Sequence, residues 1–299
     1  MTQLGAEVTL SNPTSKKTVN VGTVFADNEL CLPVKVFYGH LMDLKERVDA
    51  IFVPRIVSVV KNEYTCPKFL GLPDMSRALD DNMPEIIDTK IDMQTGWREY
   101  MKSVLELGSR FSSSRMKILG AYMNGVTALR EYHHQMLSGK TPIELLEGKD
   151  ITVEKPRLKV GLAGHPYNIY DRYISMNLIK RLKSMGVDVV TAEMIPESVI
   201  ELETSRLPKK LFWTYEKDVV GTVYHWANSK AVDGIIYVLS FACGPDSIVQ
   251  VLLEHELKKE NNVPMMPIVI DEHSAEAGMI TRVEAFVDML SRKKGSLIC

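Results

Sequence analysis

Leu158-Lys159-Val160-Gly161-Leu162-Ala163 follows the polar stretch Glu147-Gly148-Lys149-Asp150 and Pro156, and its apolar run reads as a strand that opens an α/β unit. Similar runs recur at Val187-Asp188-Val189-Val190, at Gly234-Ile235-Ile236-Tyr237-Val238-Leu239 and from Met265 to Ile270. The segments between them are long enough for helical crossovers, which parallel strands require. The last helix carries Ile280, Val283, Phe286, Val287 and Leu290 on one face, with Arg282, Glu284 and Asp288 elsewhere. A doubly wound parallel sheet is the expected fold of this half.

Working back toward the N-terminus, Thr18-Val19-Asn20-Val21 before Gly22 and Ala50-Ile51-Phe52-Val53 before Pro54 read as strands. Val34 to Leu44 reads as a helix after Pro33, giving a strand–helix–strand unit. From about Thr95 to Leu146 the apolar spacing turns to three and four, which predicts two or more packed helices. The fold class expected is α/β, with two Rossmann-like parallel-sheet domains and an intervening helical segment. Residues 1–150 form the N-terminal domain with the helical segment, and residues 151–299 the C-terminal one. A chain of 299 residues can bury two such cores. Leu4 to Leu10 reads as the end of a helix, a glycine cap and a strand, as though an initial strand and most of a helix were missing from the first domain.

Composition excludes several classes. At 45% hydrophobic and 25% charged residues, the chain has enough apolar side chains for a packed fold, so disorder is excluded. A formal net charge of -2 with mixed signs provides no basic field for nucleic acid. No apolar run approaches a membrane span and MTQLGAEVTL lacks the pattern of a signal peptide, so a cytoplasmic location is expected. The 4 cysteines are too few and too scattered for a disulfide framework, which leaves metal ligation or catalysis to be weighed for each.

Three of them stand where loops leave strands. Cys31 lies in Asp27-Asn28-Glu29-Leu30-Cys31-Leu32-Pro33, after the strand expected at Val19 to Val24 and before a helix. Cys66 lies in Tyr64-Thr65-Cys66-Pro67-Lys68, and Cys243 in Ser240-Phe241-Ala242-Cys243-Gly244-Pro245-Asp246-Ser247. In open parallel sheets such loops face a crevice, and a helix N-terminus favours thiolate over thiol. Three thiolates fit an iron–sulfur cubane with one iron left open for chemistry. Spacing alone leaves two other readings standing: inert buried thiols, and zinc held by three cysteines and one of His40, His165 or His273. Cys299, at the chain end, is set aside.

At the same residues the sequence resembles a known family, the acyl-CoA dehydratase activase-related proteins of the 2-hydroxyacyl-CoA dehydratase and double-cubane-cluster-like superfamily. The blocks that carry the resemblance are Cys31-Leu32-Pro33-Val34-Lys35 with Gly39-His40, Phe52-Val53-Pro54-Arg55, Tyr64 to Asp74, Phe241 to Asp246, and Asp271-Glu272-His273 through Thr281 to Phe286, in family order. The resemblance implies a [4Fe-4S] cluster, single or in a double-cubane variant, held by Cys31, Cys66 and Cys243. It also implies low-potential reductive or radical dehydration chemistry fed by a separate ATP-hydrolysing activase, with an acyl-CoA or other small molecule as substrate. The alternative is a non-catalytic electron-transfer or assembly subunit. A partner chain that completes the first domain is a further expectation.

Other residues are secondary candidates. Lys35 and His40 lie beyond Cys31 on the expected helix and Arg55 ends a strand, so all three are candidate substrate-binding residues; solvated helix positions and a surface ion pair are the plain alternatives. Glu272 and His273 follow the last strand and are candidate acid–base residues, against a capping turn built by Ser274. Gly161 to Pro166 matches neither GxGxxG nor a P-loop, which places the ATPase on another polypeptide.

Overall fold

The computed structural model describes residues 1–149, 153–260 and 263–296. The junction expected between residues 150 and 151 falls outside them, as does Cys299. Two compact units are formed, each gathered from several stretches of chain. The first takes Met1–Asn28, Val34–His134 and Phe212–Thr214; the second takes Glu29–Pro33, Gln135–Leu211 and the chain from Tyr215 onward.

Up to residue 137 the helices and strands are α1 (Lys16–Phe25), α2 (Leu32–Leu44), β1 (Ala50–Phe52), β2 (Arg55–Ser58), α3 (Pro67–Arg77), β3 (Glu85–Ile87), β4 (Lys90–Asp92), α4 (Trp97–Ser109) and α5 (Arg115–Leu137). Strand β1 pairs in parallel with β3 and β2 with β4, in register Ile51 to Ile86 and Ile56 to Ile91. The strand expected at Thr18 to Val21 is instead the middle of α1. Ser15 starts this helix with a capping box: its hydroxyl accepts from the Thr18 amide at 3.3 Å, and the Thr18 hydroxyl accepts from the Ser15 amide at 3.2 Å. The buried positions of α1 are Val19 and Gly22, three apart, a helical spacing. Gly22 is there for contact. A Cβ on it would lie 1.7 Å from the Lys35 carbonyl oxygen of α2, and one on Gly39 of α2 would lie 2.0 Å from the Thr18 carbonyl oxygen. Backbone packing of two helices thus overrides the β-branched composition of Thr18 to Val21. Gly5 does cap a turn, the 3-10 helix Thr2–Leu4, in left-handed conformation with φ of 93°, but Ala6 to Leu10 make no strand.

The rest of the chain forms α6 (Pro142–Glu147), β5 (Leu158–Gly164), α7 (Pro166–Ile169), α8 (Leu178–Ser184), β6 (Val187–Thr191), α9 (Glu197–Thr204), α10 (Thr214–Ser229), β7 (Gly234–Ser240), α11 (Gly244–Glu260), β8 (Met265–Ile270) and α12 (Glu276–Ser296). The four strands of the second unit are all parallel, in the order β6-β5-β7-β8. Every residue of β7 is buried, as expected of a central parallel strand covered on both faces. Ile235, Tyr237 and Leu239 pack with Val223 and Trp226 of α10 and Leu253 of α11. Gly234, of the opposite parity, would meet Leu290 and Phe286 of α12 if it bore a Cβ. Gly161 likewise makes room for the Trp226 indole, 2.4 Å from where its Cβ would stand. The α/β class with parallel sheets is therefore as the sequence indicates. No helix among the described residues is long and apolar enough to cross a membrane.

Candidate metal centre

Strand order positions the site of the second unit. From β5 the chain crosses to β6 on one side and later to β7 on the other, so the carboxyl ends of β5 and β7 flank the point where winding reverses. In open α/β sheets that point opens a crevice. His165 directly follows β5 and Cys243 is the third residue after β7. The turn that delivers Cys243 is tight. Ala242 is left-handed at φ of 61°, a conformation costing a residue with a Cβ roughly 1–2 kcal/mol, and the Cys243 amide donates to the Ser240 carbonyl at 3.1 Å. Helix α11 begins at the next residue, with Pro245 in its first turn, and the Asp246 amide donates to the Cys243 sulfur.

One ring nitrogen of His165, the Cys243 sulfur and one carboxylate oxygen of Asp246 lie within 4.8 Å of one another. His165 Nε2 is 3.2 Å from Asp246 Oδ1 and 3.7 Å from Glu216 Oε1. The Tyr237 hydroxyl donates to the same Asp246 oxygen at 2.7 Å. The imidazole is stacked on Tyr167, ring centres 5.0 Å apart, and meets the Tyr215 ring edge to face. Asp246 is 0% exposed and His165 2%, yet Asp246 Oδ2 and His165 Nδ1 have no hydrogen-bond partner. Cys31, buried at the residue before α2, belongs to this unit and lies near enough for its charge to act on Cys243 and on Tyr167. Neither cysteine is in a disulfide.

Burial and the Asp246 carboxylate set the protonation of the site. Burial pushes the Cys243 thiol well up, and the Asp246 carboxylate and Cys31 add to this against the opposing pull of the Asp246 amide. The thiolate expected from a helix N-terminus is outweighed by desolvation and by the neighbouring carboxylate. Burial also raises Glu216, and it raises the Tyr237 phenol, with Asp246 adding to the latter. For His165 burial works against the imidazolium, but the hydrogen bond and charge of Asp246, with Glu216 and Asp218, leave its pKa raised. Sulfur, imidazole and carboxylate together are donor types that a transition metal can bind.

The other candidates belong to the first unit or to the turn after β8. Cys66 caps α3 in the first unit, where its carbonyl accepts from the Phe69 amide at 2.9 Å. Lys35 is buried in the first unit and its ammonium donates to the Asn28 carbonyl at 3.2 Å; His40 Nε2 meets the Thr14 hydroxyl at 3.0 Å. Arg55 joins elements of the first unit, donating to both oxygens of Asp74 at 2.7 and 2.9 Å, to Asp88 at 2.5 Å and to the Leu70 carbonyl at 2.9 Å. Its pKa is raised by those hydrogen bonds, those to Asp74 first. Lysine cannot reproduce this fork, so Arg55→Lys should lower the midpoint of thermal unfolding by a few degrees, as read by circular dichroism. An unchanged melting curve would show that the fork contributes nothing. Glu272 and His273 form the turn after β8, where the Asp271 carboxylate accepts from the His273 amide at 2.9 Å and from the Ser274 hydroxyl at 2.9 Å. His273 is exposed.

Residues 1–195 match the family described as CoA enzyme activase uncharacterised domain. The chain belongs to that family. The matched stretch holds Cys31, Cys66 and His165 but ends before Cys243 and Asp246. No curated protein matches the chain. In the sequence His165 stands as a zinc candidate and in the Gly161 to Pro166 turn, and Asp246 closes a family block without a role, while nothing singles out Glu216, Tyr167 or Tyr237. A histidine and proline directly after a strand-ending glycine, and an aspartate three residues after a strand-end cysteine, were the available signals. Tyr237, inside an apolar strand, offered none.

Proposed function

We propose that this chain is an iron–sulfur protein that handles low-potential electrons for a CoA-dependent enzyme. Cys31 and Cys243 supply two thiolates and Cys66 the third, the last on the family resemblance. The observation that carries this is the gathering of Cys243, His165 and Asp246 within 4.8 Å at the winding reversal, in the unit that also holds Cys31. The donor set suits a metal: the half-buried Cys243 sulfur beside the Asp246 carboxylate is disfavoured as an anion, and a cationic iron core is what would stabilise it in that form. When bound, a [4Fe-4S] cluster would supply one-electron reduction at low potential. The protein's share is to hold the sulfurs, to shield them behind Tyr167, and to fix His165 through Asp246 and Tyr237. An ATP-hydrolysing activase as electron donor and a dehydratase as acceptor are the partners this reading names.

Burial of His165, Asp246 and Cys31 favours carriage of electrons over reaction with a substrate at the metal. A second reading, reductive dehydration of an acyl-CoA in this chain with Glu272 and His273 as acid and base, is favoured by the position of their turn at the carboxyl end of β8, the strand next to β7.

Anaerobic reconstitution tests the proposal. Wild type should hold about four irons and about four sulfides per chain, as a cubane requires. Cys243→Ala and Cys66→Ala should each lose most of that iron while keeping the helical circular dichroism of the wild type. Zinc without sulfide in the wild type would overturn the cluster, and full iron in Cys66→Ala would remove that residue from the ligand set. A change in the paramagnetic spectrum of the reduced protein on adding an acyl-CoA would favour the second reading.

A further inference from the structure

We infer that His165 is itself a ligand of the cluster that Cys243 helps to hold, so that one metal position carries an imidazole. The inference rests on the iron–sulfur reading above and deepens it. Three observations converge. His165 is 2% exposed, and its Nδ1 is buried without a hydrogen-bond partner, an arrangement that costs a polar group roughly 1–3 kcal/mol unless something binds it. Its other nitrogen is engaged with Asp246 at 3.2 Å, the carboxylate–histidine arrangement that fixes the tautomer and orientation of metal-binding imidazoles. A ring nitrogen of the same histidine also lies within 4.8 Å of the Cys243 sulfur and an Asp246 oxygen.

The aspartate is held in turn. Tyr237, inside the fully buried strand β7, donates its hydroxyl to Asp246 Oδ1 at 2.7 Å, so the chain Tyr237, Asp246, His165 runs from the sheet core to the site. Stacking on Tyr167 and the edge contact with Tyr215 restrict rotation of the imidazole plane. An ordinary core histidine would use both nitrogens in hydrogen bonds. Here one nitrogen is oriented by protein and the other is kept from it. Asp246 and Tyr237 are on this account positioning residues and His165 the ligand.

An imidazole in that place has a functional consequence. A position occupied by His165 is closed to substrate oxygen, so the centre passes electrons and does not bind a substrate at that metal. A neutral imidazole also leaves the cluster less negative than a fourth thiolate would, which raises its reduction potential.

The test uses full-length protein reconstituted anaerobically with iron and sulfide, reduced, and grown with either natural or 15N-labelled histidine. Electron–nuclear double resonance of wild type should show a strongly coupled nitrogen that shifts to the 15N frequency with the label, and the signal should vanish in His165→Gln. His165→Cys should retain iron and move the reduction potential to a more negative value. Iron at the wild-type level with no strongly coupled histidine nitrogen overturns the inference and leaves the cluster standing, as does a coupling that survives in His165→Gln. A wild type that binds no iron sinks both. Because the decisive spectrum is that of the wild type, a variant that fails to fold does not decide the outcome.

Discussion

Gly22→Ala should destabilise the protein by more than ~3 kcal/mol, the range of severe overpacking. The added methyl group would sit 1.7 Å from the Lys35 carbonyl oxygen, 2.7 Å from its carbon and 2.8 Å from the Gly39 amide nitrogen. All three neighbours are backbone atoms of α2, so no side chain can swing aside; one helix must move away from the other. That separation would also pull on Cys31, which directly precedes α2. Gly120 and Gly125 of α5 provide the control, because a Cβ at either meets nothing within 4 Å. Alanine there should leave stability unchanged or raise it by up to ~1 kcal/mol through helix propensity. Chemical unfolding followed by circular dichroism separates the cases. A Gly22→Ala midpoint equal to that of Gly120→Ala would mean that α1 and α2 are not in backbone contact.

The same glycine shows what the sequence conceals. Thr18-Val19-Asn20-Val21-Gly22 has the composition of a short strand and turn, and only a partner backbone, carried by residues 35–39, makes it helical. The local sign of a helix was present in Ser15 and Thr18, three apart, but a threonine in place of the usual glutamate makes a faint capping box. By contrast the central strands β5 and β7 were readable because a parallel strand covered on both faces must be largely apolar, and the edge strands β6 and β8 were readable from their short runs of Val, Ile and Met. The last helix was readable because Val283, Phe286, Val287 and Leu290 share one buried face.

The site was legible by halves for a related reason. A cysteine at a strand end announces itself, being rare and placed at a turn; Cys243 stands in such a place, whereas Cys31 follows the helix α1, and both fall in the second unit. A metal site also needs groups that orient its ligands, and these are ordinary residue types in ordinary places. Asp246 looks like any acidic residue in a first helical turn, and Tyr237 like any large residue in a core strand. Only the contacts around one Asp246 oxygen, 2.7 Å from the Tyr237 hydroxyl and 3.2 Å from His165 Nε2, distinguish them. Sequence spacing also carries no information on thiol acidity. The amide at the start of α11 was expected to stabilise a thiolate, whereas burial and the neighbouring carboxylate reverse the sign.

Lys183→Met should cost the second unit about 3–5 kcal/mol, the usual result of removing the charged partner from a buried ion pair. Lys183 of α8 donates to Glu144 Oε1 of α6 at 2.5 Å, and the side chains are 9% and 6% exposed. Glu144 cannot turn to solvent, because its other oxygen accepts from the Thr141 amide at 2.9 Å and from the Thr141 hydroxyl at 2.7 Å, closing the capping box that starts α6. Methionine keeps the length and apolar stem of lysine but removes the charge. The pair adds little beyond a neutral replacement if desolvation of both charges cancels their attraction. The double variant Lys183→Met with Glu144→Gln, which retains a carbonyl for the Thr141 amide, should therefore be more stable than Lys183→Met alone. Unfolding free energies of wild type, both single variants and the double variant form the cycle that measures the coupling. If the double variant is no more stable than Lys183→Met, the loss comes from packing around the lysine stem, and the uncompensated carboxylate is not its cause.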